Sequence, residues 1–193
     1  MLRLPAVAGR FYPRDPQELE RQVASFCVPS PAEPSRRAIA CMVPHAGYRF
    51  SGHGAGAVYA RLELPRRFLF LGPRHYPHGK PQAILSQGAW ETPLGHAEID
   101  THLAHELMRA CPALSEDELA HRDEHAVEVQ LPFLQFLAPN LRFVPIALGP
   151  AGFNELESLG KAIGELLARQ TVPVLMVASS DMNHYESDDV LPP

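Results

Sequence analysis

The fold is decided by residues 38–50, which read AIACMVPHAGYRF. Six apolar residues run without interruption from Ala38 to Val43, and Pro44 ends the run immediately before His45. An apolar run of this length that is closed by proline and soon followed by glycine predicts a buried strand. In open α/β sheets, ligands bind outside the carboxyl ends of the strands. The stretch therefore predicts a strand that delivers a histidine to a binding crevice.

Two further apolar runs end in the same way. Residues 67–72, RFLFLG, precede Pro73-Arg74-His75, and residues 172–178 precede Ser179-Ser180-Asp181 and then His184. If the three strands are parallel, all three polar clusters lie on one side of the sheet. Imidazole is a common metal ligand, and two histidines with one carboxylate leave positions open, as in non-haem Fe(II) oxygenases and catalytic zinc sites. A shared site and three unrelated strand ends remain equal alternatives on this pattern.

Helical patterns alternate with these runs. Asp15-Pro16-Gln17-Glu18 predicts a helix start, and Ser51, Asp100 and Asn154 are further candidate helix caps. Pro132 is predicted to kink or split a helix over 125–137, and Pro145 to place the strand 141–148 at an edge or a bulge. Glycines 52, 54 and 56 favour close packing against the first strand over a phosphate site. The alternation predicts an α/β fold with a mostly parallel or mixed central sheet flanked by helices.

Other residues carry weaker signals. Arg74 could hold an anion or be a surface charge, and Asp181 could merely cap a turn. His125 follows Asp123-Glu124 and either points into the crevice or belongs to a helix-capping cluster. The remaining histidines are predicted to be exposed to solvent: His53, His78, His96, His102, His105 and His121.

Composition narrows the functional classes. Acidic residues outnumber basic ones, 22 to 17, and no basic run is present, which argues against a nucleic-acid partner. No apolar stretch approaches the roughly 20 residues needed to cross a bilayer, so no membrane association is expected. Three scattered cysteines without a CxxC motif suggest reduced thiols and a cytoplasmic location.

Five segments, taken together, resemble the Memo family, also called AmmeMemoRadiSam system protein B. They are PAVAGRFYP, VPHAGYRFSG, LGPRHY, DEHAVEVQLPFLQ and ASSDMNHY, in that order along the chain. Because that family resembles class III extradiol ring-cleavage dioxygenases, the resemblance implies an extradiol-dioxygenase-like fold and a single domain over residues 1–193. The resemblance implies that His45 and His75 are metal ligands and that Asp181 and His184 are site residues. His184 would match the catalytic base of the dioxygenases, and His125 would match a further histidine of the pocket.

The resemblance also implies that the chain lacks the family's C-terminal third. That part supplies the third ligand, a cysteine in Memo relatives and a glutamate in the dioxygenases. No cysteine of this chain stands at that place, so we expect either a fragment or a site closed by Asp181, with His184 and His125 as acid–base residues. Fe(II) is the first expectation for the metal, with Zn or Cu as alternatives.

Three functions follow as hypotheses. The first is dioxygenase- or redox-type chemistry on an unknown small molecule. The second is a non-catalytic module that binds a peptide or another protein in the same crevice, and the family name adds a radical-SAM pathway partner as an expectation. The third is zinc-dependent hydrolysis with an activated water.

Overall fold

The computed structural model describes residues 1–29 and 34–181. In this part of the chain nine strands form one sheet: β1 Leu2–Arg3, β2 Ala40–Val43, β3 Arg67–Pro73, β4 Gln82–Ile84, β5 Ala89–Thr92, β6 Gly95–Ile99, β7 Ser115–Glu116, β8 Arg142–Leu148 and β9 Val174–Ser179. The helices are α1 Pro16–Phe26, α2 Tyr48–Tyr59, α3 Thr101–Ala110, α4 Leu119–Arg122, α5 Leu131–Leu137 and α6 Phe153–Ala168, with a 3-10 turn at Glu128–Gln130. Within these residues, no helix is long and apolar enough to cross a membrane.

The sheet is mixed but mostly parallel, which confirms the predicted fold class. Its main order is β1-β5-β6-β8-β3-β9-β2, with β4 and β7 attached to β8. Among the described strands, only the β5–β6 and β4–β8 pairs are antiparallel. Strands β3, β9 and β2 are parallel neighbours, so the segments that follow them emerge at one edge. The likeness to extradiol dioxygenases and the single-domain organisation stay predictions.

Helices cover both faces of the sheet. Alternate residues of β3 point to opposite sides: Phe68 and Phe70 pack with α1, α2 and α5, whereas Leu69 packs with α3 and α6. The sheet is therefore buried on both faces through its centre.

Strand β2 is less buried than its apolar sequence predicts. Ala40 and Met42 are exposed, Cys41 is half-buried, and Val43 alone is buried. Within the described residues β2 pairs with β9 on one side and with no strand on the other. The prediction of a buried strand holds for Val43 and is wrong for Ala40 and Met42, because apolar composition does not tell whether a strand has two neighbours.

Strand β8 is interior, which contradicts the predicted edge or bulge at Pro145. Pro145 pairs with Phe70 of β3 on one side. On the other side, among the described residues, β6 pairs only with Arg142 and Phe143, and the pairing of β8 with β4 begins only at Ile146. Backbone groups alternate in direction along a strand, so the backbone nitrogen of Pro145 points to the same side as that of Phe143. The missing N–H of Pro145 therefore falls in the gap between β6 and β4.

Several local predictions can be compared directly with the helices. Asp15 and Asp100 cap α1 and α3 as expected, and Pro132 lies in the first turn of α5, directly after the 3-10 turn, so the helix is split. Helices α2 and α6 instead begin after Gly47 and Gly152, so the predicted caps at Ser51 and Asn154 are wrong.

Gly52 and Gly56 of α2 pack closely, but against α1 rather than the first strand, whereas a Cβ at Gly54 would lie 3.7 Å from Pro44, which follows that strand. A Cβ at Gly52 or Gly56 would lie 2.4 or 2.6 Å from Phe26. Real Cβ atoms do not approach other atoms so closely, so Gly52 and Gly56 are required by the α1–α2 contact.

Candidate metal centre

Three histidines converge at the carboxyl edge of the sheet. His45 follows β2, His75 follows β3, and His125 lies in the loop before the 3-10 turn. One ring nitrogen from each lies within 4.8 Å of the others. The ring centroids are 5.2 Å apart for His45 and His75, 5.7 Å for His45 and His125, and 4.4 Å for His75 and His125. Three imidazoles at this spacing could hold one metal ion.

The hydrogen bonds around His45 assign its ring proton. The Gln130 side-chain atom that lies 2.8 Å from the Pro44 carbonyl must be the amide nitrogen Nε2, because a carbonyl oxygen can only accept a hydrogen bond. The contact of the same Nε2 with Ser179 Oγ is therefore also a donation from Gln130. Ser179 Oγ gives its own proton to the Ala126 carbonyl at 2.6 Å. The Nδ1 of His45, 3.2 Å from Ser179 Oγ, must then be the donor. This leaves the lone pair on Nε2, which is the form that binds a metal.

Glu124 orients His75. Its Oε2 accepts the His75 backbone N–H at 2.6 Å, and its Oε1 lies 2.9 Å from His75 Nδ1. Because the carboxylate accepts, Nδ1 carries the proton and Nε2 is again free. Histidines that bind metals commonly donate their other ring N–H to a carboxylate, which fixes the ring and raises its basicity.

The charge of Glu124 is stabilised despite its burial. Burial alone would raise the pKa of this carboxyl, but the bonds from His75 and the N–H of Ala126 outweigh it and lower the pKa to about 2. The N–H of His125 also donates to Oε1, at 2.8 Å. The hydrogen bond to Glu124 in turn raises the pKa of His75.

His125 and His45 are held in the neutral form. Burial lowers the pKa of His125 to about 4 and also lowers the pKa of His45. Nδ1 of His125 is buried without a hydrogen-bond partner among residues 1–29 and 34–181, and its ring packs on Phe11 with centroids 4.8 Å apart. Neutral imidazoles are the ligating form at pH 7.

Asp181 lies at the rim of this cluster. Its Oδ1 accepts the His45 backbone N–H at 2.7 Å, and its Oδ2 is 3.6 Å from His45 Nε2. The structure thus places Asp181 beside Nε2 of His45 and brings His125 into the histidine group. The assignment of Asp181 as third ligand and of His125 as an acid–base residue stays a prediction, and His184 lies outside the described residues.

Two other predictions have clear outcomes. Arg74 donates from Nη1 to the carbonyls of residues 78, 79 and 80, so it ties a loop together.

His121, predicted to be exposed, is 1% exposed and lies edge-on to Trp90 with centroids 5.8 Å apart. Burial lowers its pKa to about 4, so it is a neutral core histidine. The other five histidines predicted to be exposed are exposed.

The sequence reasoning missed the residues that orient His45 and His75. Glu124, Ser179 and Gln130 are all 2% exposed or less. The signal for Glu124 was its position immediately before His125, because a carboxylate beside a candidate ligand is a candidate orienting group. Ser179 and Gln130 carry no comparable signal in the sequence.

Comparison with known proteins agrees with the resemblance that the five sequence segments carry. The model of the Memo-like protein family matches residues 3–190. A MEMO1 family protein of Caldivirga maquilingensis is 39% identical over 97% of this chain and 71% of its own length. Relatives of the same description from Aquifex aeolicus and Thermococcus kodakarensis are each 42% identical, over 95% and 96% of this chain and 68% and 66% of their own lengths. The chain therefore belongs to the Memo family and spans about two thirds of the length of these relatives.

Proposed function

We propose that this protein binds one divalent transition-metal ion through His45, His75 and His125 and leaves further coordination positions open to a small molecule. One observation carries the proposal: three imidazoles place a ring nitrogen each within 4.8 Å of the others. In two of them the other nitrogen is already committed to Ser179 or Glu124, which directs the Nε2 lone pairs of His45 and His75 toward a common ion.

The donor set suits several metals. Imidazole nitrogens bind Zn, Cu, Fe and Ni, and three histidines with an open position are a known catalytic zinc arrangement. With Asp181 contributing a carboxylate, the set also suits Fe(II) and its chemistry with dioxygen. We favour Fe(II) and oxidative chemistry on a small molecule, with zinc-dependent hydrolysis as the competing form of the same proposal. A bound ion would supply Lewis acidity and, if it is iron, electron transfer.

The chain's own residues prepare the site. Glu124 holds His75 and the N–H groups of His125 and Ala126, so two ligands are fixed by one carboxylate. Asp181 holds the His45 backbone and can accept a proton at the rim of the site. His184 is proposed as a further acid–base residue.

Metal analysis tests the binding proposal. The protein is purified without chelators or nickel affinity resin and analysed for bound metals, alongside His45→Ala, His75→Ala and His125→Ala. We expect near-stoichiometric metal in the parent and loss in each variant. His53→Ala is the matched control, because His53 is exposed and contacts Phe26 outside the cluster. Full metal retention in all three alanine variants would overturn the proposal.

The oxidative chemistry has a separate test. Protein loaded with Fe(II) is incubated with catechols under air, and ring cleavage is followed by the colour of the opened product. Absence of product in protein that holds iron would reject ring cleavage while leaving metal binding intact. Release of product by zinc-loaded protein from an ester or amide substrate would favour hydrolysis.

A further inference from the structure

The N-terminal segment is tied to the loop that carries Glu124 and His125. Arg3 in β1 is 6% exposed, although arginine rarely tolerates burial. Its Nε donates to the His121 carbonyl and its Nη2 to the Glu124 carbonyl, both at 2.7 Å. Its guanidinium also lies 4.1 Å from the centre of the Trp90 ring. Arg3 therefore binds the backbone carbonyl of Glu124, the residue whose carboxylate accepts hydrogen bonds from His75.

Glu128 completes this attachment from the other side of the loop. It is fully buried and accepts from Arg3 Nη1 at 2.7 Å, from the N–H groups of Ala6 and Val7, and from the Tyr12 hydroxyl at 2.7 Å. A buried carboxylate with four donors is fully committed to this role and has no capacity left for a ligand. The Arg3–Glu128 pair thus fastens both ends of residues 121–128 to the N-terminal segment.

The geometry of the loop reaches the histidines directly. Within it the Glu124 carboxylate holds His75, and the Ala126 carbonyl takes the Ser179 proton that sets the tautomer of His45. Phe11, from the same N-terminal segment, packs on the ring of His125. A shift of this loop would therefore move a partner of every histidine in the cluster.

We propose that Arg3 is a positioning residue for the metal centre, acting through the Glu124 backbone and the Glu128 ion pair to set the geometry of His75 and His125. The proposal rests on the proposed function for its metal-binding readout, but not for its effect on His75 itself. A buried guanidinium with three acceptors at 2.7 Å in fixed directions, besides the Leu4 carbonyl at 3.4 Å, suits this task because a lysine cannot reproduce that fork.

The test compares Arg3→Lys with the double variant Arg3→Met/Glu128→Gln. The lysine keeps the charge and loses the fork, whereas the double variant removes both charges together and avoids leaving one buried and unpaired. Arg37→Lys is the matched control, since Arg37 pairs with Glu63 on the surface. Three quantities are measured: the Co²⁺ dissociation constant, the Co²⁺ absorption spectrum, and the ring ¹⁵N shifts of His75 in metal-free protein, which report its tautomer.

We expect Co²⁺ to bind about tenfold or more weakly in both Arg3 variants, with an altered spectrum, while thermal unfolding remains cooperative. The metal-free His75 ring should shift from a single Nδ1–H form toward a mixture, and Arg37→Lys should match the parent throughout. Folded variants with unchanged affinity, spectrum and tautomer would overturn the proposal, and so would failure of both variants to fold, since Arg3 would then be purely structural. If the parent binds no metal, the proposed function fails and the tautomer alone decides this inference.

Discussion

Replacing Glu124 by glutamine tests how the centre is prepared for a metal. The two carboxylate oxygens accept four hydrogen bonds: His75 N at 2.6 Å on Oε2, and His75 Nδ1, His125 N and Ala126 N at 2.8 to 2.9 Å on Oε1. All four groups are donors. A glutamine in either orientation must therefore aim its own NH₂ at one or more of them, and a buried donor is left without an acceptor.

The magnitude follows from the pKa of this carboxyl. The pKa falls from 4.5 to about 2 on folding, so the ionised form is favoured by about 3 kcal/mol in the folded state. Since the folded pKa is the lower one, this stability is present above pH 4.5 and is lost as the pH falls toward 2. Glu124 is 2% exposed, so solvent screening takes little of it. At pH 7 we expect Glu124→Gln to lower the free energy of unfolding by up to about 3 kcal/mol and to weaken metal binding by roughly 10–100-fold.

Urea unfolding of metal-free protein at pH 7 gives the first quantity, and competition for Zn²⁺ against a coloured chelator gives the second. Glu63→Gln is the matched control, because it removes the same charge from an exposed pair with Arg37. Unchanged zinc affinity in a folded Glu124→Gln protein would refute the reasoning that this carboxylate orients His75. A stability loss with no loss of affinity would confine Glu124 to a structural role.

Three further predictions follow. In metal-free protein, the neutral His125 contributes stability above pH 6.5 that is lost as the pH falls toward its folded pKa of about 4. His125→Asn should therefore reduce, by about 3 kcal/mol, the change in the urea-derived free energy of unfolding across that pH window. An unchanged pH dependence in the variant would contradict this prediction. Gly56→Ala should lower the free energy of unfolding by about 1–3 kcal/mol because its Cβ would meet Phe26, whereas Gly160→Ala, with open space in α6, should raise it by about 0.5–1 kcal/mol; equal effects would be inconsistent with the α1–α2 contact. Ser179→Ala should weaken zinc binding by about tenfold by freeing the His45 tautomer, which ring ¹⁵N shifts would detect, and a single Nδ1–H form in the variant would count against this.

Part of this arrangement could be predicted from the sequence because it depends on local rules. Apolar runs closed by proline and followed by histidine predict where β2 and β3 end, and parallel pairing brings those ends together. Asp15 and Asp100 cap their helices through contacts within three residues, so no knowledge of distant parts was needed. His45 and His75 therefore lie side by side, which is one of the two alternatives that the pattern left open.

The rest depends on contacts between distant residues, which no local pattern encodes. The exposure of Met42 depends on which strands flank β2, and the placement of Pro145 depends on where β6 stops and β4 starts. His121 is buried because Trp90, 31 positions earlier, packs against it. These are properties of the assembled sheet.

The arrangement of the orienting groups implies where the centre is most sensitive to change. His45 and His75 follow strands, but the groups that fix their ring protons depend on residues 124–130. The Glu124 carboxylate contacts His75 directly. The Ala126 carbonyl and the Gln130 amide bind the Ser179 hydroxyl, which lies beside His45. His125 lies in the same stretch. A substitution that moves this loop therefore disturbs all three histidines at once, whereas one within β2 or β3 disturbs one. Metal affinity should consequently depend more on the contacts of this loop, including those from the N-terminal segment, than on the packing of the strands that carry the ligands.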